Sequence, residues 1–133
     1  MFELLMVASL LLTQGAAKSV ALPDTPQGKH VKSYVDAFNS GDEKKFLAWF
    51  EEHVSPAILA KRSAEERAKM FQRMKGDFGK LVVTRVLKST AQQIQVVFPT
   101  VDGQAEGTFT FDFEAEPPYK IAGIAVEVQS GTP

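Results

Sequence analysis

Between Val31 and Phe50 apolar residues recur every three or four positions, and beyond Lys80 they recur every second one. The first period belongs to amphipathic helices, the second to half-buried strands. Val31, Tyr34, Val35 and Phe38 form one helical stripe; Phe46, Leu47, Phe50 and Val54 form a second, with Trp49 at its margin. Thr25 and Pro26 predict an N-cap and first helical residue, because the missing proline N–H would be unpaired there anyway. Gly41 suits a helix end, and Ser40 with Glu43 has capping-box spacing, so the Asn39-Ser40-Gly41 corner is predicted to stop one helix and start the next. Ser55-Pro56 opens a short turn through Ala60. Ser63 with Glu66 then predicts a third main helix, carrying Arg67, Met70, Phe71 and Met74 on one side and ended by Gly76 and Gly79.

Four strands are predicted at 81–88, 91–98, 104–114 and 119–128, separated by Ser89-Thr90, Thr100 to Gly103, and Glu116-Pro117-Pro118. Such short connections force antiparallel neighbours. The third strand is the clearest, with Phe109, Phe111 and Phe113 on one face and Thr108, Thr110 and Asp112 on the other. One face is wet and the other needs cover, which the helices must supply. The expectation is an α+β domain with N-terminal helices packed on a curved antiparallel four-stranded sheet.

The N-terminus adds a location. Leu4 to Leu12 is an apolar run followed by small and polar residues ending at Ala17 or Ala21, the pattern of an export signal, although Met-Phe-Glu lacks the usual basic start. The run is too short to span a bilayer. Residues 1–21 are therefore expected to be a signal peptide and 22–133 a single domain that is extracytoplasmic, either periplasmic or secreted.

Composition narrows the chemistry. At 133 residues, 44% hydrophobic and 23% charged, the chain is one small globular domain rather than a disordered one. With no cysteine, disulfides, thiolate nucleophiles and cysteine-ligated metals are excluded. The net charge of −1 is unevenly spread: residues 61–88 hold nine Lys or Arg against three acids, and residues 89–133 hold one Lys against six. This is either a solvated helix facing an acidic sheet or an electrostatic docking face. A sheet without interleaved basic and aromatic residues gives no case for nucleic acid.

The Ala37-Phe38-Asn39-Ser40-Gly41-Asp42 corner, the third helix and the terminal sheet resemble the nuclear transport factor 2-like (cystatin-like cone) superfamily. The closing run from Glu116 to Ile124, with Leu22-Pro23-Asp24-Thr25-Pro26, is similar to extracytoplasmic domains of this type that sit beside serine-hydrolase and other enzyme domains. The resemblance covers about residues 22–128 and implies fold more than function. Its isomerase branch would put a proton donor near Tyr34, a base at the end of the second helix and an acid on the sheet. Here the second position reads Val54-Ser55-Pro56 and the inner row of the third strand is phenylalanine, so Tyr34 reads as a core tyrosine with its hydroxyl satisfied.

No serine-hydrolase, zinc-peptidase or phosphate-loop pattern occurs. His30 and His53 are the only histidines, too few for a metal site, and a helix C-terminus alone explains His53. Arg85 stands in an otherwise apolar row between Val83 and Leu87, so it either snorkels to the sheet edge or points a guanidinium into the cone. Aromatic residues Tyr34, Phe38, Trp49, Phe71, Phe98 and Phe109 suit an apolar pocket. The functional expectation is a non-catalytic binding or accessory module without a cofactor. It would hold a small apolar ligand or a protein partner, with Tyr34, Trp49, Arg85 and Phe109 as ligand-binding residues. The alternative is a cofactor-independent isomerase, dehydratase or cyclase. The apolar row Ile124, Val126 and Val128 also makes a homodimer reasonable.

Overall fold

The structure, a computed structural model, describes residues 18–130. Most of the expected signal peptide lies outside the described residues. Helices α1 (Pro26–Asn39), α2 (Glu43–His53), α3 (Pro56–Leu59) and α4 (Ala64–Phe78) precede strands β1 (Arg85–Ser89), β2 (Gln93–Pro99), β3 (Ala105–Phe113) and β4 (Ile121–Ser130). The strands form an antiparallel meander in chain order, so the domain is α+β with helices on a four-stranded sheet. No helix among the described residues is long and apolar enough to cross a membrane.

Local chemistry explains the boundaries. Thr25 caps α1 by accepting from the Gly28 amide, with Pro26 at the first helical position. Gly28 also lets the helix meet the lead-in, since an added Cβ would fall 1.9 Å from the Pro23 carbonyl oxygen. The cap of α2 is Asp42, whose Oδ1 accepts from the Lys44 and Lys45 amides, not the expected Ser40. Ser40 is already occupied, donating to the Ala37 carbonyl and accepting from the Asp42 amide. Ser63 and Glu66 do form the expected reciprocal capping box. Gly76 lies inside α4, which ends only where Gly79 turns to φ 69°.

Asn39 joins the helical layer to the sheet. Its Nδ2 donates to the Leu81 carbonyl at 2.9 Å and its Oδ1 accepts from the Leu81 amide at 2.7 Å. Between these layers Phe38, Phe46, Phe71, Phe109 and Phe111 are buried, and Phe38, Phe46 and Phe71 sit in edge or tilted contact with one another. Trp49, placed by periodicity at the margin of its helix, is buried because α1 packs on that side. The meander register puts Ile94 opposite Phe111 and Val96 opposite Phe109, which assembles one continuous inner face.

Candidate functional site

Tyr34, Trp49 and Phe109 come together, whereas Arg85 is elsewhere. The Tyr34 ring lies 5.0 Å from Trp49, 5.2 Å from Phe111 and 6.3 Å from Phe109, centroid to centroid. All of these residues are buried. The Tyr34 hydroxyl donates to Met74 Sδ at 3.8 Å, and burial pushes its pKa well above the usual phenol range. The Trp49 indole N–H donates to Ser33 Oγ, which donates in turn to the His30 carbonyl. These are packed rings with partnered polar tips. Arg85 shares a row with Val97 and Thr108 on the opposite face of the sheet, where its guanidinium reaches Glu106 at 2.9 Å. The apolar row read from sequence breaks there because Val83 precedes the strand and Leu87 falls in a β-bulge.

A groove of about 820 Å³ opens between α3, α4 and β4. Its wall on the sheet side is Ile124, Val126 and Val128. These pair with Phe111, Phe109 and Gly107 and so belong to the inner face. Phe111 and Phe109 are wholly covered, yet Val126 is 42% and Val128 56% exposed. The reason is the path of α4. Its last residue, Phe78, rests on the sheet at Gly107, where an added Cβ would lie 2.6 Å from the ring, and in edge contact with Phe109. The body of the helix does not cover β4. Tyr34, Phe50 and Met74 complete the apolar floor.

The rim of this groove is cationic. Lys61, Arg62, Arg67, Lys69 and Arg73 line it against two acids, Glu66 and Asp77, and Glu66 is held by its capping box. The basic excess of residues 61–88 is therefore partly gathered on one edge of an apolar groove. Arg67 differs from its neighbours in being 7% exposed. Its Nη1 donates to the Arg62 and Leu59 carbonyls at 2.7 and 3.4 Å, and its Cζ lies 5.4 Å from the Phe50 ring centroid. On the other edge of the guanidinium, Nη2 has Glu51 Oε2 at 3.5 Å and the buried Nε–H has no acceptor.

A second cluster escaped sequence reasoning. His30 Nδ1 and His53 Nδ1 are 2.8 Å apart, and His30 Nε2 lies 2.8 Å from the Pro118 carbonyl. A carbonyl only accepts, so the His30 proton is on Nε2 and, in the neutral pair, His53 donates from Nδ1. His53 is stacked on Trp49, and its pKa is lowered by burial and by His30, with Glu52 opposing and Lys120 adding to the shift. The signal was available: the two histidines are nearly equidistant from the Gly41 corner, so an antiparallel helical hairpin sets them opposite each other. No group of three or more metal-ligating side chains occurs among the described residues.

No protein-family model matches the chain, and no curated protein matches it. Among solved structures, the solution NMR structure of a de novo β-sheet design protein is similar over 80% of this chain and 88% of its own, at 16% identity and a TM-score of 0.44. No function follows from that likeness.

Proposed function

We propose that the chain is an exported, non-catalytic binding module of the nuclear transport factor 2-like type, holding a small apolar ligand in the groove between α4 and β4. The observation that carries this is the inner row of β4. Apolar residues on the face turned toward the helices, Val126 and Val128, emerge into a concave space instead of a packed core. The bulges in β1 and β4 are consistent with the curved sheet of a cone. Location outside the cytoplasm rests on the N-terminal apolar run alone.

The isomerase-like alternative has less support. Tyr34 is engaged with Met74, Glu66 with the Ser63 amide, and Arg85 lies across the sheet, so these groups do not converge on a reacting atom. Native mass spectrometry of protein secreted through its own signal, followed by titration with uncharged 1-dodecanol, tests the binding reading. A retained or added mass that Val126→Asp abolishes supports it. A bare chain that takes up neither dodecanol nor its carboxylate counterpart dodecanoate, or a dimer that buries β4 against a second copy, overturns it.

A further inference from the structure

We infer that the ligand is an anionic single-chain amphiphile, a carboxylate on an alkyl chain, with its head group bound by Arg67. This rests on the groove being a ligand site, as proposed above, and adds the chemistry of what fills it. Two independent observations point to a negative head on an apolar tail. The first is charge complementarity: a wall of Ile124, Val126 and Val128 faces a helical rim on which basic side chains outnumber acids. A neutral ligand has no use for that rim, and a cationic one would be repelled by it.

The second is the state of Arg67. A guanidinium presents two edges for a carboxylate, and the side-on edge is made by Nε–H and Nη2–H together. The rest of the group is spent, with Nη1 held by the Leu59 and Arg62 carbonyls. The side-on edge is under-used: Nε–H is buried without an acceptor, and Nη2 has one long contact to a Glu51 carboxyl whose side chain is 68% exposed. A buried unpaired donor on a cation is costly, and buried polar groups in folded proteins are nearly always satisfied. A carboxylate that reaches this edge from the groove, displacing the exposed Glu51 side chain, would supply both acceptors in one bidentate contact. The tail then lies along the apolar wall of β4. A bilayer surface does not fit as well, because the apolar residues line a concavity and not a protruding face.

The experiment compares dodecanoate, 1-dodecanol and dodecyltrimethylammonium below their micelle concentrations, by calorimetry on the full exported chain. Dodecanoate is expected to bind at least about tenfold tighter than dodecanol, and the ammonium least. Arg67→Lys, which keeps the charge and removes the fork, should erase most of the dodecanoate advantage while leaving dodecanol unchanged. Should Arg67→Lys fail to fold, Glu51→Gln at an exposed site decides: replacing the competing carboxylate beside Nη2 with a neutral amide should tighten dodecanoate several-fold and leave dodecanol alone. Equal affinity for the two ligands overturns the head-group assignment but leaves the groove as a binding site, whereas no binding of either removes the groove as well. An unchanged or weakened affinity for dodecanoate in Glu51→Gln, or co-sedimentation with anionic phospholipid vesicles without uptake of dodecanoate, also overturns the inference.

Discussion

The two central strands and the last strand of the sheet carry the same alternation and meet different fates. On β2 and β3 the inner row, Ile94, Val96, Phe109 and Phe111, is fully buried in one cluster with side chains of α1, α2 and α4. On β4 the inner row passes from the fully buried Ile121 to the exposed Val126 and Val128 over seven residues of chain. Alternation specifies which way a side chain points. Whether anything lies on top of it depends on where a helix runs, and α4 meets the sheet at Phe78 and Gly107 without covering β4. The closed half supplies the stability that an open half needs if it is to keep an unfilled groove in water.

That contrast is easiest to break from the closed side. Phe109→Ala or Phe111→Ala should cost about 3–5 kcal/mol, read as a large fall in the urea midpoint, because each leaves a cavity among rings that cannot collapse. A loss below about 1 kcal/mol would mean that the core is as loose as the groove. Gly107→Ala sits at the junction of the two halves. Its Cβ would collide with Phe78, and the expected loss is about 1–3 kcal/mol by thermal unfolding, relieved in part by pairing with Phe78→Leu. Asn39→Ala leaves both backbone groups of Leu81 short of a partner, with an expected loss of about 1–3 kcal/mol.

A smaller effect belongs to the histidine pair. The folded pKa of His53 lies below its ordinary 6.5, so the unfolded chain takes up the proton first as pH falls. Stability is thus fully present above about pH 6.5 and declines as pH drops through that value. The pair can hold one added proton and keep its Nδ1 contact, but a second would set two N–H groups face to face. Urea titrations from pH 7.5 to 5 should show this slope in the parent and lose it in His53→Gln; an equal slope in both would assign the effect to other groups. The smallest change is expected at Val126→Ser, within about 0.5 kcal/mol in stability, since the residue is already half in water. Its consequence should be confined to ligand uptake.

Much of this was legible in the chain itself. Thr25-Pro26 and Ser63 with Glu66 mark helix starts by local chemistry, and Phe109, Phe111 and Phe113 define an inner face by period alone. What stayed hidden depends on competition or on distance. Ser40 has the right spacing for a cap, but its hydroxyl serves the preceding helix, so the stronger acceptor Asp42 takes the role. Arg67 reads as one member of the Met70, Phe71 and Met74 side of its helix, but nothing in the spacing shows that the Leu59 and Arg62 carbonyls turn back to accept from its guanidinium. Trp49 reads as marginal until the facing helix is placed. Of the four residues expected to line a ligand site, only Tyr34 borders the groove, because aromatic content says what is buried more readily than what is left open.

Each strand pairs only with its neighbours in the chain, and the first two long helices form a hairpin. Both layers therefore consist of short-range partnerships, and long loops are closed at a few joints. Asn39 with Leu81, 42 residues apart, is one; Val54 and Ser55 against Ile121 are another. In kinetic terms the loop-closure entropy falls on these joints, so hairpin and meander can assemble locally and their union comes late. Asn39→Ala should then accelerate unfolding in stopped-flow measurements while leaving the refolding rate nearly unchanged. A refolding limb slowed by the full stability loss would place the clamp in the folding nucleus instead.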